Sequence, residues 1–441
     1  MAQLKKIGFI LALVSFSLLL AGSFAGQRPA LENKPAAADW QDLTPDGAWC
    51  WFADPRAVYH EGRLKRTYAG WVNSAGDIQV AAYDYRTGKI EISTLKAKLE
   101  RDDHANPAIL FQTDGRLRVF YAPHNGGKMA YRISVNPEDI SSWAEETTLS
   151  VNVPGSYGYT YPNPYILRKE KNRMYLFWRG GNFQPDFATS PDGKNWSEAR
   201  TLIKGGERPY VKYESDGQDT IHFAFTDGHP RNEPFNNIYY ACYRNGVLYR
   251  ADGTQIKPMS KLPLLPSEAD KVYDAKAHNA RAWIWDIALD ARKNPVIVYT
   301  SLPEENRHFY RYAHWNGKRW NDYEVAAAGP WFPKTPAGKQ EPEPHYSAGI
   351  VLDHTDPSIV YLSRQVNGVF ELERWVTPDG GKNWNSTPLT EKSARDNVRP
   401  VAVRNQKRGQ LPSVLWMQNF QYVHYTDYRS AIKMNVVREK K

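Results

Sequence analysis

Extended runs of alternating hydrophobic and polar residues recur along most of the chain, in pairs that flank a short polar turn. Strands with one buried face produce this period of two, and the period of amphipathic helices is nearly absent after residue 25. The paired runs number seven: PRAVYHEGRLKRTYAGWV, NPAILFQTDGRLRVFYAP, NPYILRKEKNRMYLFWRG, RPYVKYESDGQDTIHFAFTDG, RAWIWDIALDARKNPVIVYTS, YSAGIVLDHTDPSIVYLSR and RPVAVRNQKRGQLPSVLWMQ. They begin roughly fifty to seventy residues apart, as propeller blades do. The sequence therefore predicts an all-β, seven-bladed β-propeller in a single domain, with six blades as the alternative.

Two of the polar turns carry a repeat mark. TPDGGKNW at 377–384 fits the Asp-box pattern Ser/Thr-x-Asp-x-Gly-x-x-Trp, and SPDGKNW at 190–196 is the same pattern short of one residue. In such a turn the Asp caps the backbone, the Gly takes a strained angle and the Trp packs between blades. These turns resemble those of sialidase-like propellers, and they predict a fold rather than a chemistry.

The first 25 residues have the parts of a secretory signal peptide. Two lysines precede the apolar run IGFILALVSFSLLLAG, and SFA before Gly26 fits a cleavage site. The run is too short to favour a retained membrane helix, and no cysteine follows it to carry a lipid anchor. We therefore predict a signal peptide over 1–25, a Pro/Ala-rich linker over 26–45 and the propeller over 46–441, in a secreted or periplasmic protein.

The charge and the aromatic content bear on the partner. The formal net charge is +9, spread along the chain, and aromatic residues make up 13% of it. Because export makes nucleic acid a poor partner, the basic excess favours an acidic polysaccharide, although a plain solubility charge explains it equally well. Aromatic residues suit strands and also suit stacking on sugar rings. We expect a monomer with an anionic polysaccharide substrate, and neither a nucleic-acid nor a membrane partner.

The second hairpin holds a histidine at each open end. His104 and His124 are equidistant from Asp114 in the turn, so their backbones should be close. A three-residue loop would pair the two directly, whereas a two-residue turn would offset them by one and put them on opposite faces. In the next hairpin Tyr161 and Arg179 are placed in the same way. The four residues are predicted to share one mouth of the propeller and to form the catalytic group.

Further candidates stand at the same ends of other hairpins. Arginines there would form a basin for carboxylate or sulfate, since the guanidinium offers a planar fork to such anions. The substrate-binding candidates are Arg208, Arg281, His345, Tyr346, Asn125 and Tyr159, and Arg399, Asp54 and Arg56 also stand at this face. Tyr159 would replace Tyr161 if the long RKEKNRM turn changed the register.

Each candidate has a structural alternative. A histidine at a strand end is commonly structural or merely exposed, and an arginine there commonly bonds the backbone carbonyls of the next blade. Trp283, Trp285 and Asp286 are assigned to the core and the turns, without a catalytic role.

The residue types favour elimination over hydrolysis. Glycosidases generally need two carboxylates flanking the scissile bond, and the four catalytic candidates include none. In β-elimination on a uronic acid, Arg or protonated His neutralises the carboxylate so that charge can flow into an enolate-like state. A neutral His or Tyr removes the C5 proton, and Tyr or His protonates the leaving O4. Two His, one Tyr and one Arg suffice for that scheme.

Several segments also resemble a known family. HANPAILF…VFYAPHN, YTYPNP…RMYLFWRG, ERPYVKY…IHFAFTDGHP, RAWIWDIALD and HYSAGIVLDH…SIVYLSR are similar to neuraminidase-repeat (BNR-like) β-propeller polysaccharide lyases, among them ulvan lyases and related rhamnosyl-glucuronate lyases. The resemblance implies cleavage of the L-rhamnose-α-1,4-uronate linkage, in ulvan or in arabinogalactan. It implies that His104 and Tyr161 act as base and acid, and that Arg179 and His124 neutralise the carboxylate.

A structural zinc site is a further hypothesis, because some members of this family bind one. His229, Cys242 and His278 supply a ligand set that zinc accepts, with His222 as an unassigned fourth ligand. The alternative is a buried Cys with surface histidines. Cys50 and Cys242 would otherwise form one disulfide or remain two separate thiols. The proposed chemistry itself requires no cofactor.

Two other functions stay open at this point. One is an exo-acting glycoside hydrolase of rhamnosidase or sialidase type, which predicts a catalytic carboxylate at the mouth. The other is a sugar-binding propeller without catalysis.

Overall fold

The structure is a computed structural model that describes residues 39–304, 307–329 and 348–436. These residues form seven antiparallel sheets, arranged as the blades of a β-propeller, so the predicted seven-bladed all-β fold is confirmed. The signal peptide predicted over 1–25 and the first part of the predicted linker lie outside the described residues. In the described part of the chain, no helix is long and apolar enough to cross a membrane.

The first strand of the chain, β1 (Asp39–Thr44), belongs to the last blade. The strands of blades 1 to 3, each from the channel outwards, are β2 (Ala57–Glu61), β3 (Lys65–Val72), β4 (Ile78–Asp84), β5 (Ile90–Lys96); β6 (Ala108–Phe111), β7 (Leu117–Tyr121), β8 (Met129–Ile133), β9 (Thr147–Leu149); β10 (Thr160–Leu167), β11 (Arg173–Arg179), β12 (Pro185–Ser190), β13 (Arg200–Thr201).

Blade 4 has six strands: β14 (Val211–Ser215), β15 (Thr220–Thr226), β16 (Ile238–Arg244), β17 (Val247–Tyr249), β18 (Gln255–Pro258) and β19 (Asp270–Tyr273), which pairs with β16. A short helix, α1 (Ala275–His278), follows it. The remaining strands are β20 (Arg281–Leu289), β21 (Pro295–Glu304), β22 (Arg307–Trp315), β23 (Trp320–Gly329); β24 (Ile350–Leu352), β25 (Ile359–Val366), β26 (Val369–Val376), β27 (Asn385–Pro388); β28 (Asn397–Ala402), β29 (Val414–His424) and β30 (Asp427–Val436).

The propeller is closed by pairing of the two ends of the described chain. Strand β1 pairs antiparallel with β30 and is the outermost strand of blade 7. The linker predicted over 26–45 is therefore wrong for its last residues. The outer edge of β30 presents unpaired backbone groups, and β1 satisfies them, with an added ion pair between Lys433 and Asp42.

The two Asp-box turns are formed as their pattern predicts. Asp379 Oδ1 accepts hydrogen bonds from the backbone N–H groups of Lys382 (3.1 Å) and Asn383 (2.9 Å) in the turn between β26 and β27. Trp384 of this turn meets Tyr312 of blade 5 edge to face, with ring centroids 5.2 Å apart. The tryptophan thus packs between blades 5 and 6.

A buried network of charged residues lies on the inner strands and the segments beside them. Lys212 and Arg56 both bond the carboxylate of Asp54. A second group is centred on His354, whose Nε2 lies 3.0 Å from Asp286 Oδ2 and whose Nδ1 lies 2.6 Å from Glu214 Oε2. Arg404 also bonds Glu214, at 2.5 Å. Asp54 and Arg56, considered above for the mouth, thus belong to this network.

The free energy of unfolding is expected to fall as the pH rises from about 6.5 to about 9. Burial alone would lower the pKa of His354, but the charges of Asp286 and Glu214 outweigh this and raise the pKa to about 9. Below the pKa that His354 has in the unfolded chain, the folded and unfolded states both carry the proton, and its contribution to the free energy of unfolding is complete. This contribution is about 3 kcal/mol, and it is lost as the pH rises through the pKa of His354 in the folded state.

Chemical denaturation at several pH values would measure this effect. The variant His354→Gln should flatten the slope of unfolding free energy against pH in that window, because the titrating group is gone. Equal slopes in the variant and the wild type would contradict the assignment.

Candidate active site

The four predicted catalytic residues meet at one face of the propeller. His104 lies in the short 3-10 helix Asp103–Ala105, between blades 1 and 2, and His124 lies in the loop between β7 and β8. Tyr161 stands near the start of β10, and Arg179 is the last residue of β11. Connections between blades and loops between second and third strands therefore form a common mouth.

The two imidazoles are stacked on each other. Their ring centroids are 4.2 Å apart and the planes differ by 3°. The ladder between β6 and β7 pairs Ile109 with Val119 and Phe111 with Leu117, which is the register of direct pairing for His104 and His124. Both histidines lie beyond the last ladder pair, Ala108 and Phe120, so the register brings their two segments level but does not itself orient the rings.

A single carboxylate joins the pair. Asp102 Oδ1 lies 2.7 Å from Nδ1 of His104, and Asp102 Oδ2 lies 2.9 Å from Nδ1 of His124. Asp103 Oδ1 is also 3.1 Å from Nδ1 of His104. Neither aspartate was predicted as a site residue, although both stand immediately before His104 in the run DDH. That adjacency was the available signal.

The shared carboxylate sets opposite charge states for the two histidines. Burial would lower the pKa of His104, but the charge of Asp102 overrides it and raises the pKa well above its ordinary value. Burial and the charge of His104 then lower the pKa of His124 to about 4. Because one charged ring opposes a second charge beside it, the pair carries one positive charge at neutral pH.

Arg179 connects this pair to the open side of the site. Its Nη2 lies 3.0 Å from Nε2 of His124 and 3.1 Å from Oδ1 of Asn125. A guanidinium only donates and an ionised carboxylate only accepts, so His124 carries its proton on Nδ1 and a lone pair on Nε2. Asn125, a predicted substrate-binding residue, is thus brought into the site.

Tyr161 is aimed into the site by a β-bulge. The ladder pairs Thr160 with Arg179 and Asn163 with Phe177, so one extra residue lies between them on β10. Tyr161 is in that stretch and has φ +63°, a left-handed conformation that is uncommon outside glycine and concentrates at functional sites. Burial raises the pKa of Tyr161 well above its ordinary value, so the phenol keeps its proton.

Tyr159, the candidate that would replace Tyr161 if the register of the hairpin changed, lies outside the site. Tyr159 packs in the hydrophobic cluster that includes Trp178 and Leu149, and its hydroxyl donates to the carbonyl oxygen of Val151 at 2.7 Å. Of the two tyrosines, Tyr161 is the one near the histidines, with a ring centroid 5.7 Å from that of His104.

Arg399 lies beneath the mouth rather than in a surface basin. It is buried, and Nη1 donates to Asp103 Oδ2 at 2.5 Å and to the carbonyl oxygen of Trp49 at 3.0 Å. Burial would raise the pKa of Asp103, but Arg399 outweighs this and lowers it. Arg399 therefore keeps Asp103 ionised next to His104.

Of the other two arginine candidates, one lies at the rim of the mouth and one bonds the backbone. Arg208 is partly exposed, pairs with Glu207 at 3.0 Å and lies 5.1 Å from the ring of Phe183. Arg281 donates to the carbonyl oxygen of Pro230 at 2.8 Å, which is the structural alternative for an arginine at a strand end. His345 and Tyr346 lie outside the described residues.

The three predicted zinc ligands are not brought together. Cys242 pairs across β15 and β16 with His222, whereas His278 is exposed and stacks on Tyr273 at 4.6 Å. His229 instead lies at the mouth, against Trp283 at 4.9 Å. Both cysteines are free, so the disulfide is not formed.

Groups of potential metal ligands within the described ranges all lie at the mouth. Ligand atoms within 4.8 Å of one another occur in the groups Cys50, Asp103, His104 and Asp102, His104, His124. Neither group contains any of the predicted zinc ligands.

A small cavity of about 30 Å³ adjoins His104 and Tyr161. It is lined by Cys50, Trp51, Phe52, Asp103, His104, Tyr161, Tyr210, His229, Trp283 and Arg399. Tyr161 and Cys50 face each other there, with Oη and Sγ 4.0 Å apart. Trp283, assigned above to the core, thus also forms a wall of the site, and His229 joins the mouth.

Comparisons with known proteins agree with this fold. A family model described as a BNR repeat-containing family member matches residues 66–328, more than half of the chain. A curated ulvan lyase of Nonlabens ulvanivorans is 23% identical over 438 residues, covering 85% of this chain and 86% of that protein. An ulvan lyase of Pseudoalteromonas sp. (strain PLSV) is 21% identical over 312 residues, covering 58% and 60%.

A solved structure has a similar fold. It is a polysaccharide lyase of family PL25, an ulvan lyase bound to -[GlcA(1-4)Rha3S]-, with a TM-score of 0.68 and 17% identity. The match covers 90% of this chain and 96% of that one.

Proposed function

Because the chain belongs to the BNR repeat-containing family, we propose that it is a polysaccharide lyase that acts on ulvan or a related rhamnose-uronate polymer. The proposed reaction is β-elimination at the L-rhamnose-α-1,4-uronate linkage. The ulvan lyases to which the chain is similar support the substrate class. The observation that carries the proposal is the pair of stacked histidines on one carboxylate, with Arg179 and Tyr161 beside it.

Two positive groups are available to neutralise the uronate carboxylate. His104 holds its charge because Asp102 and Asp103 flank it, and Arg179 presents its guanidinium to the same side as His124. Their charge on the carboxylate stabilises the enolate-like state that forms when C5 loses its proton. This is the electrostatic part of the catalysis.

His124 is the base in this scheme. It is neutral at neutral pH, since its pKa is about 4, and Asp102 orients it through Nδ1 so that the lone pair on Nε2 is available. In this structure Arg179 donates a hydrogen bond to that lone pair, and it would move to the uronate carboxylate when the substrate binds. This assignment exchanges the tasks that the resemblance implies for His104 and His124, because the charged ring cannot accept the proton.

Tyr161 is the acid. Its phenol is protonated, and the Arg179 guanidinium lies 4.8 Å from its ring, where it stabilises the phenolate that forms. The C5–H and C4–O4 bonds break, a C4–C5 double bond forms, and O4 leaves with the tyrosine proton. His124 holds the proton taken from C5, and exchange with solvent restores both groups. The scheme is complete with these side chains.

The residues at this mouth support hydrolysis less well than elimination. Hydrolysis would need a protonated carboxyl group as the acid. Burial raises the pKa of a third nearby carboxyl group, Glu100, but that group accepts from the backbone N–H of His124 at 2.6 Å and does not bond either imidazole ring. Asp102 and Asp103 lie against the imidazole rings, and their pKa values are both lowered, because the opposing charges of His104 and Arg399 outweigh the effect of burial. Both are therefore ionised and bonded, and neither has a proton to donate.

Location and assembly complete the proposal. The lysines and apolar run of 1–25 support export, so we place the enzyme outside the cytoplasm, as a monomer that meets its polymer directly. Export is tested by the N-terminal sequence of the mature protein, which should begin near Gly26.

Digestion of a panel of uronate polymers tests the activity. Ulvan and glucuronate-bearing arabinogalactan should give a rise in ultraviolet absorbance from the unsaturated uronate at the new non-reducing ends. Uronate polymers without rhamnose should give none. New reducing ends without that absorbance would overturn the lyase proposal in favour of hydrolysis.

A further inference from the structure

An exposed aromatic ring stands at the edge of the mouth. Tyr157, in the connection between β9 and β10, is 47% exposed although its ring lies flat on Phe183. The two centroids are 3.8 Å apart and the planes differ by 15°. Because one face of Tyr157 is covered by this stack, the exposed area is that of the opposite face and the rim.

Close backbone packing holds this ring in place. A Cβ at Gly155 would lie 1.9 Å from the carbonyl oxygen of Gly181, and one at Gly158 would lie 1.9 Å from that of Gly126. The N–H of Tyr157 donates to the Gly181 oxygen at 3.0 Å. The connection is therefore clamped between the His124 loop and the loop that carries Phe183. A rigid exposed aromatic ring has little entropy to lose on binding.

The phenylalanine under Tyr157 also contacts the guanidinium of Arg179. Phe183 is also contacted by Arg179, whose guanidinium carbon lies 4.5 Å from its ring centroid. Tyr157 is thus within two ring contacts of the group that would hold the uronate carboxylate. The guanidinium of Arg208 lies on the same phenylalanine, 5.1 Å from its centroid, and is partly exposed.

We propose that Tyr157 is the stacking platform of a subsite for the sugar that adjoins the bound uronate. The ligand chemistry is a pyranose with an apolar face, such as a 6-deoxyhexose, that packs on the phenol ring. An anionic substituent on that sugar would be within the field of Arg208. This inference rests on the proposed function, because it places the uronate at Arg179. We expect stacking on Tyr157 to strengthen the binding of longer chains and to leave the rate of the chemical step unchanged.

Binding in an inactive background tests the platform. The parent is Tyr161→Phe, and the probes are glucuronate alone and a tetrasaccharide of alternating glucuronate and 3-sulfated rhamnose, measured by calorimetry. Tyr157→Ala should weaken binding of the tetrasaccharide about 3- to 10-fold and leave binding of glucuronate unchanged. Tyr157→Phe keeps the ring and should bind like the parent. Trp40→Ala removes another exposed aromatic ring, on β1, and is the matched control.

The outcomes separate the platform from the lyase activity. Unchanged binding of the tetrasaccharide in Tyr157→Ala, or an equal loss in Trp40→Ala or with glucuronate alone, would overturn the platform. A parent that binds neither probe would overturn it as well. A wild type that binds the tetrasaccharide through Tyr157 but never forms unsaturated ends would retain the platform and refute the lyase.

Discussion

Replacement of Tyr161 by phenylalanine is expected to lower kcat on ulvan by about 10²- to 10⁴-fold, the usual contribution of a positioned general acid. In the proposed mechanism the phenol donates its proton to O4, and phenylalanine keeps the ring, its bulge and its contact with Arg179. The described partner of the hydroxyl is the Cys50 thiol at 4.0 Å, a weak contact, so the free energy of unfolding should change little. Initial rates by ultraviolet absorbance and calorimetric binding of ulvan oligosaccharides measure the two quantities separately.

Tyr159→Phe is the matched control for this change. Tyr159 lies two residues away, and its hydroxyl bonds the carbonyl oxygen of Val151 instead of facing the site. The control should keep full activity and lose about 1 kcal/mol of unfolding free energy. A Tyr161→Phe enzyme that retains the wild-type kcat would remove Tyr161 from the role of acid.

Replacement of Asp102 by asparagine is expected to lower activity at neutral pH by at least about 100-fold. The carboxylate accepts from both histidine rings, and its charge is what keeps His104 protonated. With that charge gone the pKa of His104 falls, so the neutralising charge on the substrate carboxylate is present only at lower pH. The rate profile should therefore lose activity on its alkaline side first, and its optimum should move to lower pH.

Asp114→Asn is the control for Asp102→Asn. It makes the same chemical change in the turn of the same hairpin, where the carboxylate is exposed and bonds Arg116. Its rate and pH profile should match those of the wild type. An Asp102→Asn enzyme with lower activity but an unmoved alkaline limb would mean that Asp102 only orients the rings and does not set their charge.

The blades and the meeting of the four catalytic candidates were predictable because a repeated hairpin has a simple register. Once Asp114 is recognised as the turn, the pairing of Ile109 with Val119 follows, and with it the levelling of His104 and His124. The Asp-box at 377–384 was equally local, since its hydrogen bonds join residues four apart or less. Such features depend on neighbours along the chain.

The remaining features depend on contacts between distant segments. The tasks of the two histidines depend on the contact of the Asp102 carboxylate with both rings, and the task of Arg399 depends on its contact with Asp103 beneath the mouth. The closing strand β1 has a partner at the other end of the chain, so its own composition suggested a linker. Tyr161 enters the site through a bulge that a pattern of alternation does not contain.

The three predicted zinc ligands are not brought together for the same reason. Spacing along the chain placed His229 with Cys242 and His278, whereas the loop between β15 and β16 carries His229 to the mouth. A residue type suited to a metal carries no information on which face of a blade it occupies.

The most direct test of the central claim is the mass of the products formed from ulvan in water enriched in heavy oxygen. Elimination adds no water across the broken bond, so each new pair of ends should be one water molecule lighter than a hydrolysis product. The products should also carry no label when they are reduced with borohydride as soon as they form, before the oxygen of the new reducing end exchanges with solvent. His124→Ala and Tyr161→Phe should form these products far more slowly. Products that carry heavy oxygen and a saturated uronate would contradict the assignment of this mouth as a β-elimination site.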